Sequence, residues 1–375
     1  MNKKLLTTVV GAALAVAGGT ANAIDLKISG GVARAVMWAD DGVDSQTYHA
    51  DPTTWPSRIR FLASDDLVAG VKAGVNWESG YNSNRTSTVS QLDHSDPNTT
   101  GTANNPPLSE RWQEIWFSGA FGKLSFGQGN SASKDGHGSD LSNTDLFNGG
   151  NPADFGGTMQ FRNASTGALS GAALEVQDVI NTFEGNRHDR IRYDSPALGP
   201  VTVSASTGYF NNADMNDFAV RMNQDFGSAG KVAAAVYYAS IKRTTGSNVT
   251  LDSDGGNTEH TGFSASWLSP MGLNVTVAFA KKESEHATDP FDAEFKRVKV
   301  GYIVGEHAFS VGYALGEGQV RTVTAIEADH ISLAYNWKPK PWADIFAGVA
   351  VISLDHPTTE YDDLKIATVG SRITF

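Results

Sequence analysis

Short and long connections take turns along this chain, and they separate segments in which hydrophobic residues recur at every second position. The period of two is clear across residues 201–209, 273–279 and 331–337, where apolar side chains alternate with small or polar ones. Successive side chains of a strand point to opposite faces, so each segment has one apolar and one milder face. No long stretch shows the period of a helix, and the pattern therefore predicts an all-β fold.

The period of two predicts about sixteen strands. They lie near residues 24–39, 56–65, 67–80, 109–119, 122–130, 187–195, 199–210, 215–226, 230–241, 258–269, 271–283, 292–304, 306–316, 328–338, 341–354 and 363–375.

The connections between the predicted strands form two sets. The short set consists of Ser64-Asp65-Asp66, Ala120-Phe121, Gly227-Ser228-Ala229, Pro270, Gly305 and Pro339-Lys340. The long and polar set consists of residues 40–55, 81–108, 131–186, 242–257, 284–291, 317–327 and 355–362, and only the connection near 211–214 departs from the alternation. Such alternation is typical of an up-and-down antiparallel β-barrel across an outer membrane, which has short periplasmic turns and longer external loops. A strand of ~10 tilted residues spans the apolar band of about 25 Å, so the predicted strands are long enough.

Composition excludes several other classes of protein. After the first two dozen residues no apolar run approaches the ~18 residues of a membrane-spanning helix, which excludes a helical membrane protein. Aromatic residues make up 10% and charged residues 19%, which excludes a disordered chain. The absence of cysteine excludes disulfides, thiolate catalysis and cysteine metal sites. A net charge of -12 argues against nucleic-acid binding.

The N-terminal segment has the three parts of a secretory signal peptide. Lys3 and Lys4 precede an apolar stretch over residues 5–17, and Ala21-Asn22-Ala23 is a small-x-small cleavage site. We predict that residues 1–23 are a cleaved signal peptide and that residues 24–375 form one barrel domain. The cell outer membrane of a Gram-negative bacterium is the expected location.

Tyrosines and tryptophans lie near the ends of several predicted strands. Aromatic side chains at both ends of the spanning strands are typical of the interfacial girdles of outer-membrane barrels. The residues concerned are Tyr209, Trp267, Tyr302, Tyr335, Trp337 and Trp342.

Several short motifs, in order, resemble the general porins of Gram-negative bacteria, the sixteen-stranded trimeric type. The motifs are Ser57-Arg58-Ile59-Arg60-Phe61 followed by Asp65-Asp66-Leu67, Asn76-Trp77-Glu78-Ser79-Gly80-Tyr81, Arg111 through Gly119, Phe121 through Gln128, Ile191-Arg192-Tyr193-Asp194-Ser195-Pro196, and the terminal Phe375. Leu62 and Arg190 depart from the residue types usual in the family at their positions.

This resemblance implies a passive diffusion channel for small hydrophilic solutes and ions, with an inward-folded constriction loop and no cofactor. It implies a homotrimer among outer-membrane lipid and lipopolysaccharide. It also implies that Phe375 is the assembly signal recognised by the barrel-assembly machinery.

The long connection 131–186 is the expected constriction loop, because the family's corresponding loop folds into the barrel. Pro152-Ala153-Asp154-Phe155-Gly156-Gly157 is similar to the family's Pro-acid-Phe-Gly-Gly turn with one residue inserted. The acidic candidates for the pore constriction are Asp135, Asp140, Asp145 and Asp154.

Arginines are expected on the barrel wall opposite this loop. Alternation with Ile59 and Phe61 turns Arg58 and Arg60 inward, and alternation with Ile191 does the same for its neighbours Arg190 and Arg192. A charged side chain facing lipid near the midplane costs ~2 to 4 kcal/mol, which supports the inward orientation. Arg111 matches the family's wall arginine, and the weaker additions are Arg187, Arg297 and Lys299.

Three alternatives remain open from the sequence. One is a substrate-specific channel, and another is a receptor barrel. The third is an outer-membrane enzyme, but no Gly-x-Ser-x-Gly occurs, and adjacent His188 and Asp189 point to opposite faces of a strand. No metal site is predicted. Residues 252–257 faintly resemble a calcium loop, with Phe263 where the twelfth-position Glu belongs.

Overall fold

A computed structural model describes residues 24–81, 83–93, 108–210, 213–243, 257–285, 291–320 and 325–375. The predicted signal peptide and all of the calcium-like segment 252–257 except Asn257 lie outside these residues.

The described chain is almost entirely β structure, as predicted. Its strands are β1 (Asp25–Asp40), β2 (Ser45–Ala50), β3 (Ser57–Val68), β4 (Val71–Tyr81), β5 (Leu108–Gly119), β6 (Gly122–Asn130), β7 (Arg162–Asn163), β8 (Arg187–Asp194), β9 (Val201–Phe210), β10 (Ala213–Asp225), β11 (Lys231–Arg243), β12 (Asn257–Leu268), β13 (Leu273–Glu285), β14 (Phe291–Val304), β15 (His307–Glu317), β16 (Glu327–Lys340), β17 (Ala343–His356), β18 (Thr359–Asp362) and β19 (Leu364–Thr374). One short helix, α1 (Val176–Val179), lies between β7 and β8.

Sixteen of the strands in the described ranges form a closed antiparallel barrel, which confirms the predicted fold and strand number. Each barrel strand pairs with the next along the chain, and β1 closes the ring by pairing with β19 from Gly31↔Thr374 to Asp40↔Lys365. Closure leaves no unpaired strand edge, which lipid does not tolerate. The additional strands β2, β7 and β18 were not predicted. They are short, and β7 pairs with β18, which is far away in sequence.

Two of the predicted turns are displaced in the structure. Ser64, Asp65 and Asp66 are not a turn, because they continue β3 and pair with β4. The chain reverses instead at residues 69–70, where Gly70 has φ +81°, a conformation that glycine adopts without strain. The turn expected at Pro339-Lys340 lies at 341–342, since β16 continues to Lys340 through a register shift.

The two faces of the barrel differ as the alternation predicted. Apolar side chains on the outer face are about half exposed, for example Val300, Val311, Leu333 and Val349. Polar and small side chains between them on the same strands are buried inside the barrel, such as Ser310 and Ser332. Several of the predicted girdle aromatics, among them Tyr302 and Trp342, are exposed on the outer surface. None of the helical segments in the described ranges has the length and hydropathy of a membrane span.

Candidate functional site

The long connection 131–186, here called the inner loop, lies inside the barrel. Its hydrogen bonds run to the inner faces of successive strands: Ala132 N to Ser206 Oγ on β9 (2.9 Å), Ser139 N to Ser264 Oγ on β12 (3.1 Å), the Thr144 hydroxyl to that of Ser310 on β15 (2.8 Å), and Gly149 O from Arg297 Nη1 on β14 (2.5 Å). Small hydroxyl side chains on the inner face provide both the partners and the space for this contact. The inner loop therefore lies mainly against the β9–β19 side of the barrel and leaves the inner face of β3–β6 more open.

An apolar core fixes the inner loop to the β14–β19 side. Phe147 and Phe155 pack against each other with ring centres 4.7 Å apart, within one cluster of buried side chains that includes Phe295, Phe346 and Ile366 from the wall. Burying an aromatic or aliphatic side chain of this size contributes about 1.5–3 kcal/mol. Alternation along the strands did not predict this core, because its wall residues Phe295, Phe346 and Ile366 lie on the face that was expected to be the milder one.

A basic cluster occupies the open side of the lumen, around Glu78 on β4. Arg60 Nε donates to Glu78 Oε2 at 2.6 Å, and Arg111 Nε donates to Glu78 Oε1 at 2.5 Å. Arg58 Nη1 lies 3.6 Å from Glu78 Oε1. Three guanidinium groups thus share one fully buried carboxylate. Glu78 was not among the predicted site residues, although its alternation with the outward Trp77 is the sequence signal for an inward acid.

A β-bulge places Arg111 in this cluster. Glu78 is opposite Trp112 in the β4–β5 pair, while Ser79 is opposite Glu110, so Arg111 is an extra residue in β5. At a bulge two residues of one strand oppose a single residue of the partner. Regular alternation would put Arg111 and Trp112 on opposite faces. Here Arg111 reaches Glu78, and Arg190, which is bonded to the inward Glu114, lies 5.8 Å from the Trp112 ring centre.

Trp55 holds one side of the basic cluster in position. The guanidinium carbon of Arg58 is 4.5 Å from the centre of the Trp55 ring, and that of Arg372 on β19 is 5.1 Å from it. Such cation–π contacts contribute about 0.5–2 kcal/mol each. A Cβ at Gly31 would lie 2.7 Å from Trp55 Cη2, so the absence of a side chain there makes room for the indole.

Arg190 and Arg192, also predicted for the constriction, are inside the barrel but bound tightly to the wall. Arg190 is almost fully buried and donates to Glu114 Oε2 at 2.5 Å and to Gly127 O at 2.6 Å. Arg192 donates to Asp194 at 2.7 Å and to Ser131 O at 2.8 Å. Arg192 therefore also anchors the start of the inner loop.

The four predicted acids lie in different surroundings. Asp135 is 65% exposed at its side chain and accepts a hydrogen bond from Asn130 Nδ2 at 2.8 Å. Asp140 is buried in an ion pair with Lys299. Asp145 is accessible from the lumen but surrounded by protein, which with the neighbouring Asp140 raises its pKa.

Asp154 is half-buried, and its enclosure within the barrel raises its pKa to about 6. The neighbouring charges that act on its pKa are His137, Lys134, Glu184 and Arg297. The acids of the inner loop and the arginines of the wall therefore do not form two separate, facing groups as expected. Asp135 borders the cavity that contains Arg190 and Arg192, and Asp140 pairs with Lys299 of β14. The charges that act most on Asp154 are those of His137 and Lys134, which belong to the inner loop itself. Membership of all these residues in the constriction stays a prediction.

The weaker basic candidates lie on two different sides of the barrel. Arg187 donates to Asn130 Oδ1 at 3.1 Å on the open side. Arg297 and Lys299 are buried under the inner loop, where both donate to Asn148 O.

Glu184 joins the two ends of the inner loop. Its carboxylate pairs with Lys134 and lies 2.5 Å from His137 Nδ1. These two partners outweigh the effect of burial, so the pKa of Glu184 is far below its usual value. The pKa of Lys134 is raised, because the nearby Glu184 and Asp135 outweigh the desolvation of its ammonium group. Glu184 was not among the predicted site residues, since no local motif in the sequence marks it.

The C-terminal Phe375 lies at the seam that closes the barrel. Its backbone N–H donates to Gly30 O and its carbonyl accepts from Gly30 N, both at 3.0 Å. The side chain is 69% exposed. Within the described ranges no group of three or more His, Asp or Glu side chains is placed to hold a metal ion.

Comparison with known proteins agrees with this architecture. A family model described as Gram-negative porin matches residues 8–357. A search of curated protein sequences gave no match. Among solved structures, an anion-selective porin from Comamonas acidovorans superimposes with a TM-score of 0.64 at 16% identity, over 94% of this chain and 99% of the other. Salmonella typhi OmpF gives 0.61 at 13% identity, over 94% and 98%. A trimer form of OmpT, an outer membrane protein of Vibrio cholerae, gives 0.59 at 14% identity, over 94% and 100%.

Proposed function

This chain belongs to the Gram-negative porin family, and from that premise we propose that its pore passes between the basic cluster and the inner loop and favours small anions. The protein is an outer-membrane diffusion channel. In this proposal Arg58, Arg60 and Arg111 line the constriction, and anions cross it faster than cations of the same size.

The sharing of Glu78 by three arginines is the observation that carries the proposal. One carboxylate neutralises one guanidinium group, so the cluster of Arg58, Arg60 and Arg111 keeps an excess of positive charge, to which Arg187 adds. Charges that line a narrow lumen with low-dielectric walls produce a focused field and raise the local concentration of counter-ions. A small anion is attracted to this side of the lumen, whereas a cation of the same size is repelled.

The net charge of -12 does not oppose this proposal. Charges beyond a Debye length of about 8 Å are largely screened at physiological salt, so the residues nearest the ion set selectivity. Asp140 is neutralised by Lys299 and Glu184 by Lys134. The relative from Comamonas acidovorans is described as anion-selective, and the excess of arginine in this lumen supports the same sign here.

Reversal potentials in a potassium chloride gradient across a planar bilayer test the proposal. The parent channel should show a potential of the sign for chloride preference. The double substitution Arg58→Ser with Arg60→Ser should raise conductance and shift the potential toward potassium. The control, Lys72→Ser with Lys231→Ser, removes the same charge from exposed side chains near the short turns and should leave the potential unchanged. A double variant that behaves like this control would remove Arg58 and Arg60 from the constriction.

A homotrimer embedded in outer-membrane lipid and lipopolysaccharide is part of the same proposal. The trimer form of the Vibrio cholerae relative supports it, as does the apolar outer face of this barrel. Chemical cross-linking in native outer membranes should give a ladder that ends at three subunits. A ladder that ends at one would contradict the trimer.

Export through a signal peptide cleaved after Ala23 also remains a proposal, supported by the residues of that segment. The mass of the protein extracted from outer membranes should correspond to a chain that begins at Ile24. We further propose that the channel has no catalytic role. In support, His188 is buried while the adjacent Asp189 is exposed, so the nearest candidate pair lies on opposite faces of β8.

A further inference from the structure

Below the basic cluster, the lumen contains a cavity that no part of the proposed function uses. It has a volume of about 260 Å³ and is bordered by β5, β6, β8, β10 and the start of the inner loop. Its lining includes Asn130, the last residue of β6, and Lys123, which follows the short turn at 120–121 at the other end of that strand. Short turns face the periplasm in outer-membrane barrels, so a solute that passes the basic cluster next enters this basic cavity.

The basic cavity has more cationic groups than carboxylates to neutralise them. Lys123 and Arg190 share the single carboxylate of Glu114, at 3.6 Å and 2.5 Å. Arg192 is neutralised by Asp194. These pairs leave the cavity with a positive charge near Lys123.

Arg221 adds a second uncompensated charge. Its Nη2 donates to Lys134 O at 2.7 Å, while Nη1 is buried and has no hydrogen-bond partner within the described part of the chain. Nη1 itself is inaccessible from the cavity, but the guanidinium group as a whole borders it. Its positive charge therefore attracts an anion such as a carboxylate to this side of the cavity.

Trp112 provides an aromatic surface on the same cavity. The neighbouring Arg190 is positioned by hydrogen bonds to Glu114, Gly127 O and Asn130 O, and none of these bonds involves Trp112. The indole of Trp112 therefore lies near the guanidinium group of Arg190 and also borders the space in which a solute would lie. Aromatic rings stack on one another with a preference beyond the burial of their area.

We propose that this cavity is a binding subsite for small aromatic monocarboxylates, with the ring on Trp112 and the carboxylate at Arg221 and Lys123. The volume holds one single-ring solute with a few waters, since each water occupies about 30 Å³ in the liquid. Asp135 also borders the cavity and reduces the excess of positive charge, which favours a single carboxylate over a multiply charged anion. The proposal rests on the anion preference of the proposed function and names the class of solute that the pore retains.

Block of the chloride current through the purified channel in planar bilayers tests the subsite. Benzoate and cyclohexanecarboxylate are the probes, because they have the same charge and similar size and differ in the aromatic ring. Benzoate should block saturably, at a concentration several-fold lower than cyclohexanecarboxylate. Trp112→Leu should raise the half-blocking concentration of benzoate about threefold to tenfold. The half-blocking concentrations of benzoate and cyclohexanecarboxylate should then be similar. Trp112→Phe keeps a ring and should retain the preference.

Arg221→Gln should weaken block by both acids roughly tenfold, since it removes the positive charge. The control Trp77→Leu, on the outer face of β4, should change neither. Equal block by the two acids in the parent, or a benzoate preference that survives Trp112→Leu, would overturn the subsite. Absence of saturable block alongside a chloride reversal potential would remove the subsite and leave the proposed function standing. A ring-dependent block in a channel without chloride preference would overturn the proposed anion preference and leave the binding of aromatic acids standing.

Discussion

Arg60 and Glu78 are directly opposite each other in the β3–β4 pair, and Arg60 Nε donates to Glu78 Oε2 at 2.6 Å. The same carboxylate also holds Arg58 and Arg111, so one acid on β4 organises basic side chains from β3 and β5. The position of the basic cluster therefore depends on a residue of opposite charge.

Glu78→Gln should destabilise the barrel while making the pore more anion-selective. The substitution keeps the shape of the side chain but leaves three neighbouring guanidinium groups without a counter-charge, which we expect to cost about 2 kcal/mol or more. The measurement is the urea midpoint of the refolded barrel together with the reversal potential. The control Asp66→Asn breaks an exposed pair with Lys72 and should cost less than about 1 kcal/mol. An unchanged midpoint for Glu78→Gln would show that the cluster does not need its carboxylate.

Selectivity should depend on pH through Asp154. Its pKa is raised to about 6, so its carboxyl group gains a proton as the pH falls from 7 to 5. The loop side of the lumen then loses a negative charge, and chloride preference should increase. Asp154→Asn should have the high chloride preference at both pH values. A parent channel whose reversal potential is the same at pH 7 and pH 5 would contradict the assignment.

The raised pKa of Asp154 also makes the stability of the barrel depend on pH. The dependence is opposite in direction to that of a salt-bridged acid, whose pKa is lowered. Because the folded pKa is higher than the ordinary value of 3.8, the folded state binds the proton more tightly than the unfolded state between those pH values. The contribution of Asp154 to stability therefore falls as the pH rises from about 4 to about 6. Asp154→Asn should remove this part of the pH dependence in urea titrations.

Gly348→Ala should disturb the packing of the inner loop against the barrel wall. A Cβ at Gly348 would overlap the ring of Phe147, which must then move within a packed core at a cost of about 1–3 kcal/mol. We expect a lower urea midpoint and larger fluctuations of the single-channel current. Gly138→Ala is the matched control, since the nearest atom to its Cβ would be Asp135 O at 3.5 Å. Quiet, parental currents in Gly348→Ala would mean that the inner loop does not depend on this contact.

Phe375→Ala separates assembly from stability. The backbone hydrogen bonds to Gly30 are kept, and the ring that is removed is mostly exposed. The refolded barrel should thus keep its urea midpoint within about 1 kcal/mol, while much less protein should reach the outer membrane in cells. Ile373→Ala removes another exposed apolar side chain two residues earlier and serves as the control. Normal membrane levels of Phe375→Ala would argue against its role as an assembly signal.

The strands and their two faces were predictable because a strand's side chains alternate strictly, whatever its partners are. That local rule gave sixteen barrel strands and the inward orientation of Arg58 and Arg60. It failed for Arg111, which reaches Glu78 only through a bulge that depends on the pairing of two strands. It also misplaced the turn at residues 64–66, because two acidic residues that continue a strand into water look like a turn in the sequence.

The charge of each predicted site residue was known from the sequence, but its partner was not. Asp140 and Asp135 are both acids of one loop, yet Asp140 is buried against Lys299 of β14 and Asp135 is open to the lumen. The pairing depends on where residues more than a hundred positions apart meet. Alternation of side chains along a strand is a local property, so the sequence by itself determined that this chain forms a barrel with an apolar outside. The path of the inner loop and the resulting excess of positive charge on one side of the lumen were decided only by tertiary packing, because they arise from contacts between segments distant in the chain.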